Sequence, residues 1–215
     1  MQFLKPESSL MQFLGKVADI MLLNVLLLLF SLPILTAGAA MTAAHKVAQD
    51  MVLKEEHGII KRFFRTFLRE FKQSTILWIL FLLVCGVLVY DALLVFFYCE
   101  GALAGTLYVF LGFLAFLVVG TAIYAFALIA RYENTLRNHL RNGFFLMIGK
   151  IHRTIPAVIL GLLPPAIPFF FTGIFIRFIY LWIFLLFGLS FYGISYLIKP
   201  VLLLNQPEQA APEAV

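Results

Sequence analysis

The chain has 215 residues, a formal charge of +5, and 63% hydrophobic against 13% charged residues, where a soluble domain has about 25% charged residues. Its 24 phenylalanines need more apolar surroundings than one water-soluble core of this length provides. The composition excludes an ordinary soluble domain. The basic residues cluster between apolar runs, the pattern of membrane topology, which excludes nucleic-acid binding as the meaning of the charge.

Read from the N-terminus, Pro6 followed by Ser9 and Gln12 has the form of a capping box and predicts that a helix starts there. That helix leads into a first apolar span over residues 20–40, whose end reads "SLPILTAGAAM". Ala37-Gly38-Ala39 fits a small-x-small cleavage pattern. However, the apolar run is longer than a signal-peptide core, and the region before it is long and only weakly positive. Pro33 removes one backbone donor and kinks a helix, with Ser31 and Thr36 positioned to satisfy the freed carbonyl. Gly38, Ala39, Ala40, Ala43 and Ala44 form a small-residue face that allows close helix approach. The expectation is a kinked span whose small face packs against another helix.

The next segment, "IIKRFFRTFLREFKQS" from Ile59, is strongly amphipathic. At 100° per residue, Phe63, Phe64, Phe67 and Phe71 share an apolar half with Ile59, Ile60 and Leu68. Arg62, Arg65, Arg69 and Lys72 fall with Lys61 on the opposite half. A basic helix with an aromatic face lies in a membrane interface, its cations at the lipid headgroups. The same apolar face is also fit to dock on a partner.

Four more spans follow, over residues 76–98, 104–130, 155–176 and 178–198. "RYENTLRNHLRNGFF" from Arg131 reads as a polar continuation of the third span, with Glu133 and Arg137 paired four residues apart. Pro164, Pro165 and Pro168 are expected to interrupt the fourth span. Residues 205–215 form a polar tail expected to be disordered. The fold class is therefore an all-α membrane protein, with five transmembrane helices and an amphipathic cytoplasmic helix in a single domain over residues 1–204.

Lys and Arg concentrate after the first span (Lys46, Lys54, Lys61, Arg62, Arg65, Arg69, Lys72) and after the third (Arg131, Arg137, Arg141, Lys150, Arg153). Positive loops stay in the cytoplasm, which places the N-terminus outside and the C-terminus inside. Cys85 and Cys99 are expected to be free thiols, and His45, His57, His139 and His152 surface residues without metal-ligand spacing. No catalytic set, phosphate loop, metal site or cofactor motif is present, so the expectation is a non-enzymatic protein without a cofactor. Asn24, Asp91, Glu100 and Arg177 are the polar residues nearest the spans. With the Pro164 region they outline a possible polar path, Asp91 and Arg177 being the expected pair, and a small transporter or channel is the alternative reading.

Three stretches in this order, "NVLLLLFSLPILTAGAAMTAAHKV", "IIKRFFRTFLREFKQSTILW" and "ARYENTLRNHLRNGFF", make the chain resemble the YesL family of small bacterial membrane proteins. The resemblance runs from about Phe13 to Leu203. It implies five spans in a bacterial plasma membrane and an auxiliary role beside carbohydrate ABC importers, and it brings no catalytic residues. The expected function is thus an accessory membrane protein that packs on the importer's permease subunits through the Gly38–Ala44 face and the Phe63–Phe71 helix, with the lipid bilayer as its other partner.

Overall fold

Pro33 divides the first apolar run into two helices. Helix α1, Ser9–Ser31, stops before it, a 3-10 turn covers Ile34–Thr36, and α2 begins afresh as Ala37–Leu53. Proline lacks the N–H that continues a helix and pushes the residue before it, here Leu32, out of the helical region. Thr36 closes the break: its hydroxyl donates to the carbonyls of Phe30 at 2.6 Å and Pro33 at 2.8 Å. The run expected as one kinked span over 20–40 is therefore the end of a span plus a separate helix.

The structure, a computed structural model, describes residues 9–55, 58–170 and 172–204, and every regular element among them is helical. After α2 come α3 (Ile59–Arg69), α4 (Phe71–Tyr98), α5 (Gly101–Arg131), α6 (Leu136–Gly149), α7 (Ile151–Phe170) and α8 (Thr172–Arg177). One turn, α9 (Ile179–Leu181), leads through a π-helix at Trp182–Leu186 into α10 (Phe187–Leu204). Five stretches are long and apolar enough to cross a membrane: Leu10–Ser31, Phe71–Tyr98, Gly101–Arg131, Ile151–Pro168 and Ile179–Val201. The chain is a multi-pass helical membrane protein. The expected tail and His57 lie outside the described residues.

Helix α2 is the interior of the fold. Of its 17 residues 13 are buried, and it packs on α1, α3, α4, α5 and α10. Only small side chains permit so many neighbours. A Cβ on Gly38 would lie 2.5 Å from the Trp78 Cβ and 2.6 Å from the Ser74 carbonyl of α4. Thr42 and Ser74 exchange a hydrogen bond at 2.7 Å beside this crossing.

Helix α7 runs unbroken through Pro156, Pro164, Pro165 and Pro168, contrary to the expected interruption. At Pro168 a replacement donor compensates for the missing N–H. Pro168 has no N–H for the carbonyl four residues back, that of Pro164, and the Trp182 indole Nε1 donates to that carbonyl at 2.8 Å. The third span agrees with expectation, but its polar continuation does not. Helix α5 ends at Arg131, residues 132–135 are extended, and α6 folds back on α5 with Gly143 against Thr121 and Ala125. Glu133 is outside the helix, so the expected Glu133–Arg137 helical pair does not form. Asn138 instead donates to the Asn134 side chain at 2.8 Å.

Gly38→Ala is expected to destabilise the folded protein by about 1–3 kcal/mol, the cost of overpacking a tight crossing. Gly86, which meets nothing within 4 Å, is the control. Melting curves in detergent should show a lowered midpoint for the Gly38 variant and none for Gly86→Ala. Equal midpoints would mean that α2 and α4 are not held this closely.

Candidate functional site

The most strongly charged place in the fold is at the C-terminal end of α2. Lys46 and Asp50 are one turn apart and pair at 2.9 Å. Arg62 reaches Asp50 from α3 at 2.6 Å, and Arg131 approaches it from the end of α5 at 3.7 Å. Arg131 also donates to Glu55, just beyond α2, at 2.8 Å. Asp50 is 5% exposed, so three helix ends converge on one carboxylate that water barely reaches. Its contacts are close ion pairs more than aligned hydrogen bonds. Burial pushes the Asp50 carboxyl up against the opposing pull of Lys46 and Arg62. At Glu55 burial acts the same way, but the Arg131 hydrogen bond and charge outweigh it and hold that carboxyl below its ordinary value. Gln49 adds a buried hydrogen bond from Nε2 to the Ala127 carbonyl at 2.9 Å. This knot ties α2, α3 and α5 together. The sequence reading misses it because Lys46, Arg62 and Arg131 count there only as loop charges and Asp50 and Glu55 are not considered. The available signal was the i, i+4 pair Lys46/Asp50 on a helix otherwise made of small residues.

Helix α3 divides its apolar half between two roles. Phe63 and Phe67 are buried, their rings 5.7 and 5.2 Å from that of Phe30 of α1. Ile60, Phe64 and Leu68 remain exposed at spacings of four, and Phe71 at the start of α4 is exposed beside them. These four form an apolar strip that is most open at Ile60 and Leu68, while Phe64 sits edge-on to Phe30 at 5.0 Å and Phe71 to Phe67 at 5.6 Å. Arg65 is exposed, whereas Arg62 is turned inward to Asp50 and Arg69 pairs with Glu70. Lys72 is exposed. Of the four expected headgroup cations, Arg65 and Lys72 are thus the ones that make no ion pair among the described residues.

The small face expected to meet a partner is used inside the chain. Gly38, Ala39, Ala40, Ala43 and Ala44 are buried, Gly38 against α4 and the alanines in the cluster shared with Leu23, Leu26 and Phe63. That expectation is corrected for the face and for Phe63 and Phe67, since buried atoms have no surface left to offer.

The expected polar path is not assembled. Asn24 is fully buried in α1, where its amide bridges a gap in the π-helix region. Oδ1 accepts from the Gly188 N–H at 2.6 Å, and Nδ2 donates to the Ile183 carbonyl. A Cβ on Gly188 would lie 2.5 Å from the Ile20 carbonyl, so only glycine admits α1 this closely. Asp91 is half-buried on α4, Glu100 is exposed before α5, and Arg177 is exposed at the end of α8. Among the described residues no ion pair joins Asp91 to Arg177. Two histidines expected at the surface, His45 and His139, are buried, and His152 is exposed. Cys85 and Cys99 are free thiols. Among the described residues no three His, Cys, Asp or Glu side chains converge as metal ligands would.

Residues 20–92, about a third of the chain, match the family described as "Protein of unknown function, DUF624". The match runs from within α1 through most of α4 and so contains the Pro33 break, α2, and α3. No curated protein and no solved structure matches the chain.

Asp50→Ala is expected to cost up to about 3 kcal/mol, because it leaves Lys46 without its carboxylate and Arg62 and Arg131 with Glu55 alone, at 3.9 and 2.8 Å. Arg69→Gln, at an exposed pair, should cost no more than about 1 kcal/mol. Denaturation midpoints in detergent would rank the two, and a harmless Asp50→Ala would show the knot to be incidental.

Burial pulls the His45 pKa down from 6.5 to about 3, and that of His139 in the same direction. Below about pH 6.5 the unfolded chain takes up protons that the folded one refuses, so stability falls with falling pH. For His45 the slope between pH 6 and 5 approaches about 1.4 kcal/mol per pH unit. Titrating stability for wild type and His45→Gln should show a shallower slope in the variant. Parallel curves would place a protonated His45 in the fold.

Proposed function

We propose that this chain is a non-enzymatic accessory protein of the bacterial plasma membrane, N-terminus outside and C-terminus inside, that binds the permease subunits of a carbohydrate ABC importer. The resemblance to the YesL family supports the importer as partner, and the DUF624 match covers the part of the chain that forms the docking surface. The observation that carries the reading is the open strip Ile60, Phe64, Leu68 and Phe71. It is an i, i+4, i+8 row of large apolar side chains on a helix that the Phe63–Phe30 contact and the Arg62–Asp50 pair hold in place. Such a row is what helix-in-groove recognition uses. Arg65 and Lys72 lie beside it, suited to acidic residues at a partner's rim or to lipid headgroups. Docking is thereby assigned to the outer row of α3, with the inner row and the α2 face serving the fold.

The test is purification of the tagged protein from its native membrane in mild detergent, with mass spectrometry of the proteins retained. Importer permease subunits should accompany the wild type in stoichiometric amount. A double change, Ile60→Ser with Leu68→Ser, should release them while stability in detergent changes by no more than about 0.5 kcal/mol per position, as for exposed positions. Retention of the subunits by the double variant would reduce α3 to a membrane anchor. Recovery of the chain alone from wild type would remove the accessory reading.

A further inference from the structure

The first two turns of α3 carry three cations, and the helix has no acid along its whole length. Lys61 and Arg65 stand four residues apart and Arg62 and Arg65 three apart, so each pair shares a face on which like charges repel. Between these three side chains and Gly58 lies a half-open cavity of about 270 Å³, and among the described residues these four are its whole lining. Arg62 spends its charge inward, with Nε 2.6 Å from Asp50 and Nη2 3.9 Å from Glu55. Lys61 and Arg65 are exposed and make no ion pair among the described residues. The cavity therefore presents two unbalanced positive charges beside a third that is already matched. Asp19 of α1 shares a separate hollow with Lys61, but it is exposed, so water weakens its hold on that charge.

The cavity lies at the start of α3, where Gly58 has no side chain to cover the first N–H groups. The helix dipole adds about half a positive charge there. An anion in this place would relieve the repulsion within α3, and the charge count sets which anion. A phosphomonoester carries about −1.5 to −2 at pH 7, equal to what Lys61 and Arg65 leave unbalanced. A carboxylate or a phosphodiester carries a single charge and would leave half of it. The oxygens of a phosphate also suit the Arg65 guanidinium, whose parallel N–H groups can bind two of them at once. The described lining has no aromatic ring on which a nucleobase would stack, so recognition stops at the phosphate.

We propose that this cavity binds one phosphomonoester dianion between the Lys61 ammonium and the Arg65 guanidinium, with Arg62 as its inner wall. The chemistry is the same for the head of a phosphomonoester lipid and for free phosphate. Nothing in this assignment depends on the importer as partner.

Isothermal titration of the purified protein in a neutral detergent, at low ionic strength and pH 7.5, is the test. The probes are inorganic phosphate, dioctanoyl phosphatidic acid and dioctanoyl phosphatidylglycerol, the last having the same chains on a phosphodiester. At least one of the first two should bind at one per chain, about tenfold or more tighter than phosphatidylglycerol. Lys61→Gln and Arg65→Gln should each weaken that binding about tenfold, the scale of one hydrogen bond to a charged group. Both positions are exposed, so these variants should melt as wild type does. Arg141→Gln removes the same charge from an exposed position on α6 and should leave binding unchanged. Binding of phosphatidic acid without inorganic phosphate would identify a lipid head as the source, and comparable binding of both a free phosphate. Binding of neither, equal affinity for phosphatidylglycerol, or the same loss in Arg141→Gln as in Arg65→Gln would overturn the proposal.

Discussion

A carboxylate removed from water must be matched by cations, and Asp50 is matched from three directions. Lys46 comes from its own helix, Arg62 from α3 and Arg131 from α5. A lone buried charge is untenable, and breaking such a set costs more than the set itself contributes. That asymmetry gives the knot its structural force. Once α2 is inserted into the bundle, Asp50 goes with it, and the ends of α3 and α5 must follow. The insertion in turn depends on the glycine and alanines of α2, because larger side chains would hold α4 and α10 away. Small residues at one end and ions at the other are two halves of one solution to placing a short helix at the centre.

The second constraint is that backbone polar groups in apolar surroundings must find partners within the protein. The chain repeatedly solves this with side chains from elsewhere in its length. Thr36 closes the end of α1, and Trp78 of α4 donates to the Ile34 carbonyl in the same break at 2.8 Å. Trp182 serves the carbonyl orphaned by Pro168, and Asn24 spans the gap in the π-helix region. Each repair is also a tertiary contact, so the irregular places in the helices are where the helices are joined.

This explains what the sequence could and could not reveal. Five spans were legible because each is an apolar run of sufficient length, a property local to the run. The amphipathic α3 was legible for the same reason, its period being visible within eleven residues. The Pro33 break was misjudged because run length says nothing about where a helix stops, and Leu32 and Ile34 are as apolar as their neighbours. The prolines of α7 were misjudged because their compensation lies eighteen residues away, in Trp182. Of the charge knot only the local Lys46/Asp50 pair is legible, because Asp50 and Arg131 are 81 positions apart in the chain and adjacent in space. Asn24 was noticed as a polar group in a span, but its amide is fixed between backbone groups and so serves the fold. The two rows of α3 carry similar phenylalanines that all meet Phe30, at 5.7, 5.0 and 5.2 Å for Phe63, Phe64 and Phe67, so the division is one of depth, with Phe63 and Phe67 buried and Phe64 edge-on at the margin.

That division within α3 bears on how strongly its outer row can bind. A free amphipathic segment that orders on docking must offset the entropy of becoming a helix. In α3 that cost is already met during folding. Phe63 and Phe67 fix its inner face on α1, and Arg62 fixes it on Asp50. In the docking proposed above, a partner would meet a helix in its final position, and less of the contact free energy would be spent on ordering. The same fixing links recognition to the core: displacing α3 to suit a partner would part Arg62 from Asp50 and expose the consequences of an unmatched buried carboxylate. A surface held in this way favours a partner shaped to it over one that requires the helix to move.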